Sequence, residues 1–188
     1  MYLPTETAKL FCLEGVRDER YASESRFLPM LEQLVLQHGV VNVHKTFDSI
    51  ENFEESLNVL LYDDNGFKDY ELIYLICSGA ENQIEIDGYA YNLEEIAELF
   101  EGKLKGKIVH FANGKALNID TETSQYFIDV TGAKALSGYS HNHFVSSALL
   151  DFHFFALYQE TDDVKEVVET LFQKHYALCT QLGFHLFY

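Results

Sequence analysis

Leu72-Ile-Tyr-Leu-Ile-Cys77 runs for six residues without a charge or a turn former and is closed by Ser78-Gly79. A run this short reads as a strand, and its unbroken apolar character requires cover on both faces. A half-exposed antiparallel strand would alternate polar and apolar residues instead. Lys9-Leu-Phe-Cys-Leu-Glu-Gly15 and Lys107-Ile-Val-His-Phe111 are of the same kind, and Val40 to Lys45 and Lys134 to Gly138 read as two more strands.

Helical periodicity lies between them. Leu28, Leu31, Leu34 and Val35 share one face from Phe27 to Gln37, and Gly39 ends the pattern. Asp48 is positioned to cap a second helix, with Glu51 completing a capping-box spacing ahead of Phe53, Leu57, Leu60 and Leu61. Asn92 caps a third, with Glu94, Glu95 and Glu98 early and Lys103 and Lys105 late, the charge order that the helix dipole favours. A fourth spans Thr121 to Val130. Strand and helix therefore alternate over most of the chain, the pattern of a parallel sheet covered by helices on both sides. The expectation is one three-layer α/β/α domain over residues 1–188, with a mostly parallel sheet of five or six strands. Gln83 to Tyr91 alternates at period two around Asp87-Gly88 and predicts a hairpin beside that sheet.

Two helices end the chain. Val164, Val167, Val168, Leu171, Phe172, His175, Leu178, Cys179 and Leu182 form one stripe, with Thr161 as the expected cap. From Phe144 to Leu157 the apolar residues surround the helix, so the domain or a partner must bury it all round, and a homodimer through this segment is one expectation. Gly183 to Tyr188 can add a short closing strand.

Composition narrows the partners. The chain has 13 Lys and Arg against 30 Asp and Glu, a formal net charge of −17. It lacks the clustered cations that phosphate backbones and anionic lipid require, so neither nucleic acid nor a membrane surface is expected as a partner. The longest strongly apolar stretch is too short to span a bilayer, and Met1-Tyr-Leu-Pro-Thr-Glu6 is not a signal peptide. Three cysteines, Cys12, Cys77 and Cys179, at long spacings encode neither a disulfide framework nor a zinc site, and a cytoplasmic location follows as the expectation.

In open α/β sheets, ligands meet the carboxyl ends of the strands. The candidate pocket there comprises Glu14, His44, Cys77, Ser78, Gly79, Asn113, Gly114 and His141. The sequence carries no GxGxxG, no phosphate loop and no GxSxG elbow, so no cofactor is expected. His141 and His143 are two residues apart and lack a clear third ligand, so no metal is assigned.

The order strand, Gly-ended loop, β-ribbon, helix, and second strand running into a small-residue loop resembles the caspase-like proteases, in particular a bacterial branch with the CHAT-type domains. The residues that carry the likeness are Leu75-Ile-Cys-Ser-Gly79 and His110-Phe-Ala-Asn-Gly114, within a stretch from about Lys9 to Gln159. The resemblance implies a caspase-like or flavodoxin-like strand order. It also implies a His-Gly pair in the first loop and a Cys in the second. Here Ser78 stands at the base position and Asn113 or Gly114 at the nucleophile position. Neither can supply the imidazole and thiolate of a Cys–His dyad, so the resemblance leads to a non-catalytic caspase-like domain that binds a protein or small ligand. A hydrolase using Cys77 with His141 or His143 is the alternative, and a flavodoxin-like nucleotide- or flavin-binding domain the second. His110 in an apolar strand and Asp151 in an apolar helix are expected to make polar contacts in the core.

Overall fold

A computed structural model describes residues 7–16, 25–59, 68–112, 117–141, 147–161 and 163–188. Its main sheet has six strands: β1 (Lys9–Gly15), β2 (Val41–Phe47), β3 (Leu72–Ile76), β7 (Ile108–Ala112), β8 (Ala135–Tyr139) and β9 (Phe184–Phe187), in the spatial order β2-β1-β3-β7-β8-β9. The first five are parallel and β9 is antiparallel, with Tyr139 opposite Phe184. From β1 the chain steps outward to β2, returns past β1 to β3, and then builds in the other direction. The connection therefore reverses between β1 and β3.

Alternate residues of the central strands enter two separate cores. Leu10, Cys12, Tyr74 and Ile76 pack beneath α1 (Leu28–His38), α5 (Ala148–Glu160) and α6 (Val164–Leu182). Phe11, Leu13, Ile73 and Leu75 pack beneath α2 (Ile50–Asn58), α3 (Leu93–Leu99) and α4 (Thr121–Thr131). This double cover explains the unbroken apolar runs. Beside the sheet, β4 (Ser78–Ala80), β5 (Gln83–Ile86) and β6 (Tyr89–Asn92) form the antiparallel ribbon expected at the Asp-Gly turn, enlarged by β4, which has no alternation of its own. Asp87 and Gly88 both take positive φ, 51° and 76°, as a tight two-residue hairpin turn demands.

Two caps differ from expectation. Ser49, not Asp48, caps α2 by accepting from the Asn52 backbone N–H, and Asp48 instead accepts from the Asn52 side-chain amide. With Ser49 as cap the third helical residue is Asn52, so the Glu51 capping box does not form. Asp163, not Thr161, caps α6, because Thr161 closes α5 two residues earlier. Asn92 forms the full reciprocal box with Glu95.

α5 begins at Ala148, and Phe144, Val145 and Ser146 lie outside the described residues. The helix is packed between α1 and α6 on top of the sheet, with Leu150, Asp151, Phe154, Phe155, Ala156, Leu157 and Tyr158 buried. Its all-round apolar sequence follows from that position. Leu149 is its exposed large apolar side chain, at 55%. α6 leaves helical geometry at His175, where φ is −131° and ψ 35°. Among the described residues no helix is long and apolar enough to cross a membrane.

Candidate functional site

The reversal between β1 and β3 leaves a crevice at the carboxyl end of the sheet, the place where open α/β folds accept ligands. A cleft of about 480 Å³ lies there. Gly15 and Val16 leave β1, Phe47 and Asp48 leave β2, and Cys77 and Ser78 leave β3, while Glu85 to Gly88 at the ribbon turn close the far wall. The strand ends lie close together: a Cβ on Gly15 would come within 3.1 Å of the Phe47 ring, and the Val16 N–H donates to the Phe47 carbonyl at 2.8 Å.

Of the expected pocket residues, Cys77 and Ser78 line this cleft, and Gly79 follows them in β4. Ser78 is exposed, whereas Cys77 is only 6% exposed and belongs to the core under α3. Burial pushes its thiol up to about 12, which leaves it protonated and non-nucleophilic at neutral pH. Three acidic residues, Asp48, Glu85 and Asp87, also line the cleft.

The pleat takes Glu14 and His44 elsewhere. Glu14 follows Cys12 on the opposite face of β1, and its Oε2 lies 2.8 Å from His44 Nε2, both side chains nearly buried. His141 follows β8, two strand spacings from β3 across β7, about 10 Å. Its backbone N–H donates to Leu182 and its ring lies against Gly183, where an added Cβ would stand 2.5 Å from Nδ1. Next to it the Ser140 hydroxyl is 3.1 Å from His185 Nε2. Cys77 and His141 are thus directed to different parts of the molecule. Asn113, Gly114 and His143 lie outside the described residues. Among the described residues no group of three or more His, Cys, Asp or Glu side chains is placed to hold a metal ion.

A second polar constellation is buried at the centre of the sheet. Asp151 projects from α5 onto it and accepts four hydrogen bonds: Tyr74 hydroxyl at 2.5 Å, Ser147 hydroxyl at 2.8 Å, His110 Nε2 at 2.7 Å, and the Tyr139 hydroxyl. His110 Nδ1 in turn meets Ser137 Oγ at 2.8 Å. An ionised carboxylate only accepts, so Nε2 carries the proton that His110 donates. Burial, followed by the Asp151 charge, holds both phenols well above their ordinary pKa.

Ser137, His110 and Asp151 have the connectivity of a hydrolytic triad, yet each is 0% exposed. Ser137 sits in the middle of β8, with no approach for a carbonyl carbon and its backbone committed to the sheet ladder. The cluster can order the core but cannot meet a substrate. His110 and Asp151 are each conspicuous in the sequence as polar residues in apolar segments. Their pairing, together with the roles of Tyr74, Tyr139 and Ser137, depends on contacts across up to 77 residues that no local pattern encodes.

Comparison with known proteins places the chain in a family. A family model described as "Family of unknown function (DUF6642)" matches residues 7–188, and the chain belongs to that family. No curated protein matches. Among solved structures, the fold is similar to that of the Drosophila initiator caspase Dronc, with a TM-score of 0.51 and 10% sequence identity over 87% of this chain and 70% of that one. The shared feature is the caspase-like fold, a mostly parallel six-stranded sheet with a small antiparallel side sheet.

Proposed function

We propose that this member of the DUF6642 family is a non-catalytic caspase-like domain, of the bacterial CHAT-like kind, that binds a protein segment or small ligand in the cleft at the ends of β1 and β3. The observation that carries the reading is the state of Cys77. It is the cysteine at a strand end beside the cleft, and its thiol is buried and pushed up to about 12. Cys12 and Cys179, the remaining cysteines, are buried in the opposite core. At the positions where the caspase-like resemblance expects base and nucleophile, the sequence has Ser78 and Asn113-Gly114. The cleft supports binding: it is open, walled by the ends of three strands and by the ribbon turn, and rich in polar groups. Three free thiols suit a reducing compartment such as the cytoplasm.

The test has two arms. Incubation with a mixed peptide pool at neutral pH, read by mass spectrometry, is expected to give no new cleavage; cleavage that Cys77→Ala abolishes would overturn the reading in favour of the hydrolase. Peptides and small molecules captured by the folded protein are expected to be lost on Ser78→Arg, which obstructs the cleft mouth, and retained on Tyr176→Ala, on the distant α6 surface. Self-association through residues 144–157 belongs to the same reading and would rest on Leu149. Leu149→Asp is expected to convert any dimer seen by sedimentation velocity into monomer.

A further inference from the structure

We propose that His153 and His175 form a proton-operated clasp between α5 and α6, in which their stacked neutral rings hold α6 bent and protonation releases the bend. The rings lie face to face, 3.9 Å between centroids and 19° from parallel. His175 is also the one residue at which α6 departs from helical geometry.

Sharp helix bends normally come from Pro, Gly or an inserted group. From Val164 to Leu182 α6 has neither Pro nor Gly. With Pro and Gly excluded, the tertiary contact at that residue, the stack on His153, is the one to which the proposal assigns the holding of the bend. A second bond reports the same distortion. The Leu171 carbonyl, which in an unbroken helix accepts from the His175 N–H, accepts the Cys179 thiol at 3.8 Å. Residues eight apart in a straight helix are separated by about 12 Å along its axis.

The surroundings offer a new positive charge no compensation. From α1 comes His38, in the last helical turn, its ring 5.3 Å from Phe152 and edge-on to it. From α5 comes His153, and from α6 come Lys174 and His175. Among the described residues none of the three imidazoles forms an ion pair with a carboxylate. Burial first, then the charges of His175, His38 and Lys174, hold His153 below its ordinary pKa, which agrees with a neutral closed stack. Once both rings are charged, beside His38 and Lys174 and with no carboxylate paired to them, the stack becomes repulsive and the strain at His175 loses what sustains it. The part of α6 beyond the bend carries Cys179 and Leu182 into the core and passes through Gly183 into β9. Release of the bend would act on the β8–β9 edge of the sheet, away from the cleft, so the proposal does not depend on the cleft's role.

Imidazole NMR of the full chain from pH 8 to pH 5, with hydrogen exchange of the α6 amides, tests the clasp. The expected result is coupled titration, one histidine taking its proton at distinctly lower pH than the other. Exchange of residues 176–182, corrected for intrinsic rates, should rise about tenfold per pH unit where the open state holds one extra proton, and about a hundredfold where it holds two. His153→Phe keeps a ring to stack and removes the charge, so the pH-dependent rise should vanish. Independent titration of both histidines near the usual value with unchanged α6 exchange would overturn the proposal, as would the same rise in a folded His153→Phe variant. If that variant does not fold at pH 8, the wild-type titration and exchange decide the matter alone.

Discussion

Replacing Asp151 should expose how much of the fold depends on a single carboxylate. In the native structure it accepts from Tyr74, Tyr139, Ser147 and His110, with no access to water. Asp151→Asn keeps the shape. Its Oδ1 can still serve His110 and Tyr139, and the Tyr74 and Ser147 hydroxyls can turn to accept from the new amide, so the loss is the charge assistance of four bonds. At about 1 kcal/mol for each, the difference between charged and neutral hydrogen bonds, the cost is about 3–4 kcal/mol. Asp151→Ala instead leaves four buried donors without their acceptor, at about 1–3 kcal/mol each. That sum is comparable with the whole stability of an ordinary domain, about 5–15 kcal/mol, so the Ala variant should be largely unfolded at 25 °C. Tyr74→Phe removes one donor to that charge and should cost about 1.5–3 kcal/mol. Urea unfolding followed by circular dichroism and tyrosine fluorescence measures the three in one series. If Asp151→Ala is as stable as Tyr74→Phe, within about 1 kcal/mol, Asp151 is not the centre of the network and the reasoning fails.

Further outcomes are expected. With its thiol at about 12, Cys77 should resist iodoacetamide at pH 7.5 in the folded protein and react readily in urea; stoichiometric labelling of the native state, mapped by mass spectrometry, would contradict the buried-thiol assignment. Gly183 has φ 62°, and a Cβ there would stand 2.3 Å from Ser140 Oγ, so Gly183→Ala should cost about 2 kcal/mol or more by combined backbone strain and steric overlap, seen as a lowered urea midpoint. His153 and His185 both titrate below their usual value when folded, His153 chiefly by burial and His185 by burial and then His141, so the unfolded chain binds protons first. Their contribution to stability is fully present above about pH 6.5 and falls away as the pH drops through the folded values. A urea midpoint that falls below pH 6.5 in wild type and falls less in a His153→Phe, His185→Phe double variant checks the sign.

Much of the architecture was legible because local signals and burial agreed. The strands at Leu10, Ile73 and Val109 are apolar on both faces, since each feeds two cores, and the Asp87-Gly88 turn left the ribbon little alternative. Caps were readable where one residue dominated, as at Asn92, and misassigned where two competed, as at Asp48 and Ser49, because both side chains can accept and only the entry angle of the chain selects between them. α6 carries no Pro or Gly to announce the bend at His175. For the candidate site, the strand ends point to Cys77 and Ser78, which line the cleft. Strand position alone does not say which face a side chain takes, and one residue of pleat sends Glu14 and His44 to the face opposite the cleft.

The β4–β6 ribbon has a bearing on how such a cleft can diversify. Ile84 and Ile86 anchor it in the core, whereas Glu85, Asp87 and Gly88 at its tip face the cleft and touch no strand of the main sheet's ladder. Changes of sequence or length at that tip can reshape one wall while the central strands keep their register. Selection on binding could therefore act on a few ribbon residues almost independently of selection on folding, and a library confined to Glu85 and Asp87, which spares the core anchor Ile86 and the turn glycine Gly88, is a practical way to retune the cleft on an unchanged scaffold.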